Sequence, residues 1–371
     1  MAASSRLAIA HDYLTQRGGA ERVVLAIAAA LPGALIYTSF YEPAETFAEF
    51  RALEVHTLPL NRVAPLRRHH RLALPFLAPA FSRLTIDADV VVCSSSGWAH
   101  GAHVTGKKIV YCHAPARWLY QGERYLGQSN RAVRSAVKAL RSPLMRWDRR
   151  AALSADRYLA NSAWIAQAIK RTYGIEAEVL PPPMTIDVTA PQQPVEGLEP
   201  GYFLAVSRLL PYKNVDAVVR AFEQMRGQRL VVVGEGPDEL RLNHLSGENV
   251  HFAGRASDAQ LRWLYSNAVG YVSASYEDFG LTPLEAAAFG KPTAALRFGG
   301  FLDTIVEEKT GLLFESPAPD EIVRSLQGLL RTRWIADDLR GHAASFSQER
   351  FSERLSEIVC KEQTNNSSRA A

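Results

Sequence analysis

The sequence predicts an α/β protein of two doubly wound domains, each a parallel sheet covered by helices on both faces. Short, unbroken apolar runs alternate with helical patterns along the chain, as expected for strands buried on both faces. At 371 residues the chain is long for one core and comfortable for two. A polar, proline-containing stretch, beginning Leu180-Pro181-Pro182-Pro183-Met184 and ending at Pro200, divides the alternation into halves. The expected domains are therefore 1–185 and 186–348. A final segment, 349–371, carries a helical pattern over 351–360 that is a candidate to cross back to the first domain. Its polar end, from Gln363, is expected to be disordered.

Residues 6–11 read as a buried strand running through Gly18-Gly19 into an amphipathic helix over 23–31. Further strands are expected at 34–39, 90–94, 108–112 and 157–160, then at 202–206, 229–233, 250–252, 269–273, 293–296 and 312–314. In such folds, ligands bind outside the carboxyl ends of the strands.

The composition, 47% hydrophobic and 22% charged, is ordinary for a soluble globular protein. Cys93, Cys112 and Cys360 form no disulfide framework, which points to a reducing, cytoplasmic compartment. No apolar run approaches the roughly 20 residues of a spanning helix, and the N-terminus lacks a signal-peptide core. Charge is unevenly spread. Residues 1–180 hold 23 basic and 13 acidic side chains, whereas the remainder holds 19 and 25. The basic excess concentrates in 62–71 and 117–150, which suits an anionic membrane surface or an acidic substrate. Nucleic acid is not expected as a partner, because these arginines lack the interleaved aromatics of a stacking platform.

The most informative stretch is 277–292. After the strand at 269–273 come Glu277, a loop with Gly280, and a short helix. Thr282 as N-cap, Pro283 at the first helical position and Glu285 three residues after Thr282 spell a capping box, and Gly290 with Pro292 spells a stop. A helix N-terminus just above a strand aims amide groups and a positive dipole end at a ligand, which favours phosphate. Arg208, at the end of strand 202–206, and Lys213 add two cations suited to a diphosphate. In the first half, Gly18-Gly19 could let backbone amides approach a phosphate, although it is not a dinucleotide fingerprint and can equally be a turn. His113 follows strand 108–112, where it could bond a substrate hydroxyl or a departing phosphate. Ser162 reads as a helix cap. Asp87-Ala88-Asp89 looks like a metal-binding pair, but it precedes strand 90–94 at the end away from ligands, and no His/Cys cluster has zinc spacing. No metal site is expected.

Taken in order, these motifs resemble the retaining glycosyltransferases of family 4, whose GT-B fold is two facing Rossmann-like domains with the ligand cleft between them. The Gly18-Gly19 loop is similar to the family's N-terminal glycine motif, and Arg208 with Lys213 to its diphosphate-binding pair. Glu277 and Glu285 match its E-x7-E signature, while Gly299-Gly300 and Thr310-Gly311-Leu312-Leu313 look like the segments that follow. The resemblance implies that Glu277 reaches the donor sugar's hydroxyls, that the backbone of Phe279, Gly280 and Leu281 lines sugar and phosphate, and that Glu285 grips the ribose. It also implies that Arg208 and Lys213 stabilise the diphosphate leaving group in place of a metal, and that His113 lies near the donor sugar. No cofactor is implied beyond the nucleotide-sugar substrate. Base contacts are expected around Arg255.

The segments His11-Asp-Tyr-Leu, Tyr111-Cys-His-Ala-Pro-Ala-Arg and Ser207-Arg-Leu-Leu-Pro-Tyr-Lys look most like bacterial surface-polysaccharide mannosyltransferases. The resemblance thus implies GDP-mannose as donor and a polyprenyl-diphosphate-linked saccharide as acceptor, at the inner face of the cytoplasmic membrane. A nucleotide-sugar 2-epimerase on the same fold and a non-catalytic nucleotide-binding module are the alternatives.

Overall fold

The computed structural model describes residues 6–68, 70–120 and 131–370. The chain divides into two compact units: residues 1–183 together with 348–371, and residues 184–347.

The first unit contains β1 (Leu7–His11), β2 (Leu35–Thr38), β3 (Val55–Thr57), β4 (Thr85–Ile86), β5 (Val90–Ser95), β6 (His103–Val104), β7 (Lys107–Cys112), β8 (Arg157–Ala160) and β9 (Glu178–Val179). Seven of them form a sheet in the order β3-β2-β1-β5-β7-β8-β9, while β4 and β6 pair separately. All these pairings are parallel. Every residue of β5 and β7 is buried, which explains the apolar runs at 90–93 and 109–112 within them. The lysines of β7 are buried with partners: Lys107 Nζ lies 2.7 Å from Asp156, and Lys108 Nζ donates to Ser154 Oγ at 2.9 Å. Burial pushes the Cys93 thiol up to about 12, so it is an inert core group.

The second unit contains β10 (Tyr202–Val206), β11 (Leu230–Val233), β12 (Val250–Gly254), β13 (Ala268–Ser273), β14 (Thr293–Leu296) and β15 (Gly311–Phe314). Their order is β12-β11-β10-β13-β14-β15, again all parallel. Taken along the chain this is 3-2-1-4-5-6, the Rossmann order, whose topological switch point lies between β10 and β13. The corresponding point in the first sheet lies between β1 and β5. Apolar clusters cover both faces of each sheet.

The final helix, Gln348–Ala370, belongs to the first unit. Phe351, Leu355, Ile358 and Val359 enter the cluster built by Val24, Ile27 and Tyr111. Each such side chain contributes about 1.5–3 kcal/mol of burial free energy. Arg157 adds an ion pair to Glu362 at 2.9 Å. The helix runs on through the polar residues from Gln363. No helix among the described residues is long and apolar enough to cross a membrane.

Candidate functional site

The second unit gathers its chemistry at the switch point. β10 leads through Ser207-Arg208 to a 3-10 turn, Pro211–Lys213, and β13 leads through Ala274-Ser275 to Glu277. Three side-chain bonds join the two loops. Asn214 Nδ2 donates to the Ala274 carbonyl at 2.8 Å, Ser275 Oγ donates to the Lys213 carbonyl at 3.3 Å, and Lys213 Nζ donates to Glu277 Oε1. Asn214 holds φ at 50°, in the left-handed region that asparagine tolerates better than most residues, and so reverses the chain into helix Val215–Glu223. The Lys213 side chain is 10% exposed and that of Glu277 25% exposed. A mostly buried ammonium thus meets a carboxylate that still reaches solvent, a preorganised pair that a phosphate and a hydroxylated ligand could share. Arg208 is exposed at the carboxyl end of β10. Arg255 is also exposed, but it follows β12, an edge strand separated from β10 by β11.

The loop after Glu277 is shaped by close backbone contact. The Gly300 N–H donates to the Glu277 carbonyl at 3.1 Å. A Cβ on Gly300 would sit 2.1 Å from Phe279 Cα, so only glycine fits. Gly280 has φ 85° and is the N-cap of helix Leu281–Ala288. This corrects the expected capping box: the helix starts before Thr282, and no side chain caps it. The Thr282 hydroxyl accepts instead from Tyr271 at 2.8 Å, and Glu285 Oε2 accepts from Tyr265 at 2.8 Å. Two tyrosines thus take the polar groups that the sequence pattern assigned to the helix start. The Tyr265 ring in turn stacks on Phe289 at 5.7 Å. Without a side-chain cap, the helix amides and dipole remain directed at the loop. The stop is as expected. Gly290 has φ 70°, and the pair Lys291 N–Ala286 O at 2.9 Å and Gly290 N–Ala287 O at 2.8 Å makes a Schellman motif.

In the first unit, Gly18 caps helix Gly19–Ala30, so the glycine pair does join a loop to a helix start. Ser162 caps helix Ala163–Tyr173 by accepting from Ile165 N. His113 directly follows β7. Its N–H donates to the Ser95 carbonyl at 2.9 Å, its carbonyl accepts from Asn161 at 3.1 Å, and its Nε2 lies 2.8 Å from Ser94 Oγ. Burial, with the nearby His11 adding to it, pushes this imidazole down to about 3, so it is neutral. Asp12 went unassigned in the sequence, yet it organises the loop after β5. Its buried carboxylate accepts from Ser96 N at 2.7 Å, Ala99 N at 2.7 Å and Trp98 N at 3.2 Å. The available signal was an acidic residue just past a buried strand at a switch point. Asp87 is engaged elsewhere: Arg6 pairs with it at 2.5 Å and Thr105 donates to it at 2.9 Å, before β5 begins.

Comparison with known proteins gives the family. The family description "Glycosyltransferase Family 4" matches residues 17–188, and "Glycosyl transferases group 1" matches residues 189–348. The chain belongs to the GT-B glycosyltransferases of the family 4 type. It is 28% identical over 400 residues to the Alpha-1,3/1,6-mannosyltransferase ALG2 of Homo sapiens, covering 93% of each protein. Among solved structures, Anabaena Alr3699/HepE in complex with UDP-glucose superposes with TM-score 0.72 at 18% identity, over 96% of this chain and 100% of that one. The lipopolysaccharide outer core galactosyltransferase WaaB superposes with TM-score 0.65 at 19% identity, over 96% and 99%.

Proposed function

We propose that this glycosyltransferase is a retaining mannosyltransferase that moves mannose from GDP-mannose to a lipid-linked saccharide in bacterial surface-polysaccharide assembly, without a metal. The observation that carries the reading is the Lys213–Glu277 pair, set at the switch point beside the helix start at Gly280. Lys213 and Arg208 supply positive charge for a diphosphate leaving group, and the helix amides add to it. Glu277 accepts hydrogen bonds from the sugar, the backbone of Phe279, Gly280 and Leu281 lines sugar and phosphate, and Glu285 holds the ribose. The C1–diphosphate bond breaks as the acceptor oxygen bonds C1 from the same face, and the acceptor's proton passes to the departing phosphate oxygen. Similarity to a mannosyltransferase over nearly the whole chain supports mannose. In the test, GDP-mannose and a polyprenyl-diphosphate saccharide are incubated with enzyme in excess chelator, and the product's anomeric configuration is read by NMR. Undiminished transfer with retention supports the reading. Inhibition by chelator, or mannose epimerised without acceptor, overturns it.

The basic first unit docks on the anionic cytoplasmic face of the membrane. Arg62 and Arg68 are exposed, as are Val63, Leu72 and Phe76, a cationic and apolar mixture suited to an interface. Co-sedimentation with anionic vesicles at low salt is expected, with release near ~1 M salt, where the screening length falls to about 3 Å. Absence of binding at low salt would refute it.

A further inference from the structure

We propose that Ser94 and His11 are positioning residues that fix His113 as its Nδ1–H tautomer, so that it presents a hydrogen-bond donor, and not a base, to a substrate oxygen. The substrate half of this inference rests on the transferase reading above. The tautomer half rests on geometry alone.

The three residues sit at the carboxyl ends of adjacent strands: His11 at the end of β1, Ser94 in β5 and His113 just past β7. His11 is in register with Ser94, and Ser94 with Tyr111. His11 Nδ1 lies 3.1 Å from the Ser94 carbonyl oxygen and 3.1 Å from the Ser94 hydroxyl. A carbonyl oxygen only accepts, so His11 Nδ1 must carry a proton. A protonated Nδ1 cannot accept, so the Ser94 hydroxyl does not give its proton to His11 and is left to donate elsewhere. Its remaining neighbour is His113 Nε2 at 2.8 Å. That nitrogen is thus an acceptor, and a neutral imidazole that accepts at Nε2 holds its proton on Nδ1.

Among the described residues, His113 Nδ1 has no protein partner. Packing and the anchored backbone hold the ring beside that bond. Tyr111 packs at 5.4 Å and His11 edge-on at 6.5 Å, while the His113 backbone is tied to Ser95 and Asn161. The result is an oriented N–H at the ligand end of the sheet. Such a group can hydrogen-bond a sugar hydroxyl or phosphate oxygen, but it has no lone pair at Nδ1 with which to take a proton.

The test uses full-length protein with 15N-labelled histidine. Long-range proton–nitrogen spectra at neutral pH should show His113 protonated at Nδ1 and bare at Nε2; the reverse pattern overturns the assignment. The Ser94→Ala variant should lose the single-tautomer signature while its fold, read by the rest of the spectrum, is retained. An unchanged His113 signal in that variant overturns the role of Ser94. In transfer assays, His113→Asn places an amide N–H near the Nδ1 position and should stay within about 5-fold of wild type in kcat/KM. His113→Gln should lose about 10- to 100-fold, the scale of one or two hydrogen bonds. Equal loss in both variants overturns the donor role. Absence of any transfer from sugar nucleotides would sink the transferase reading, and with it the substrate contact, while leaving the tautomer result standing.

Discussion

Glu277→Gln should lower kcat by about 10²- to 10³-fold while leaving the dissociation constant for GDP within a few-fold of wild type. The magnitude is that of removing one preorganised polar contact that strengthens as charge develops. The glutamine keeps the size and an acceptor for Lys213, so the two loops stay joined. What is lost is the carboxylate proposed to face the sugar. Steady-state kinetics with GDP-mannose, beside calorimetric titration of GDP, separates the two effects. Unchanged turnover would remove Glu277 from its assigned role. Alanine is a poorer probe here, because it strands the Lys213 ammonium, whose side chain is 10% exposed. Leaving that charge without its partner costs on the order of 2–3 kcal/mol, somewhat less than in a fully enclosed pair because Glu277 is partly solvated.

Lys213→Ala should weaken donor binding by about 10²-fold, the scale of truncating one member of a desolvated charge pair. It should also lower kcat, since the charge proposed to meet the leaving diphosphate is gone. The loss should exceed that of Arg208→Ala, because Arg208 is exposed and its charge is screened by water and salt. A larger effect at Arg208 than at Lys213 would reverse this ranking of the two cations.

Much of this architecture was legible because buried parallel strands write themselves as unbroken apolar runs. β5, β7, β10 and β11 fall within a residue or so of their expected places. The short, partly exposed β3, β4, β6 and β9 carry no such pattern and went unread. At the site, Lys213 and Glu277 were legible as residue types at strand ends, but their mutual ion pair was not. Residues 64 apart meet only because sheet order places β10 beside β13. Thr282 and Glu285 matched a local capping pattern, yet Tyr271 and Tyr265, supplied by tertiary packing, claimed both side chains. The same holds for His113. The strand end was readable, whereas the Ser94–His11 relay behind it depends on strands that are distant in sequence.

The central claim is that a metal-free donor site is built on Lys213 at the second unit's switch point. Calorimetric titration of GDP-mannose and of UDP-glucose into wild-type protein and into Lys213→Ala, all in excess chelator, tests it most directly. Saturable binding of GDP-mannose to the wild type, weaker binding of UDP-glucose, and about a 10²-fold loss in the variant are the predicted results. No binding to wild type until a divalent metal is added, or equal affinity in wild type and variant, would contradict the account.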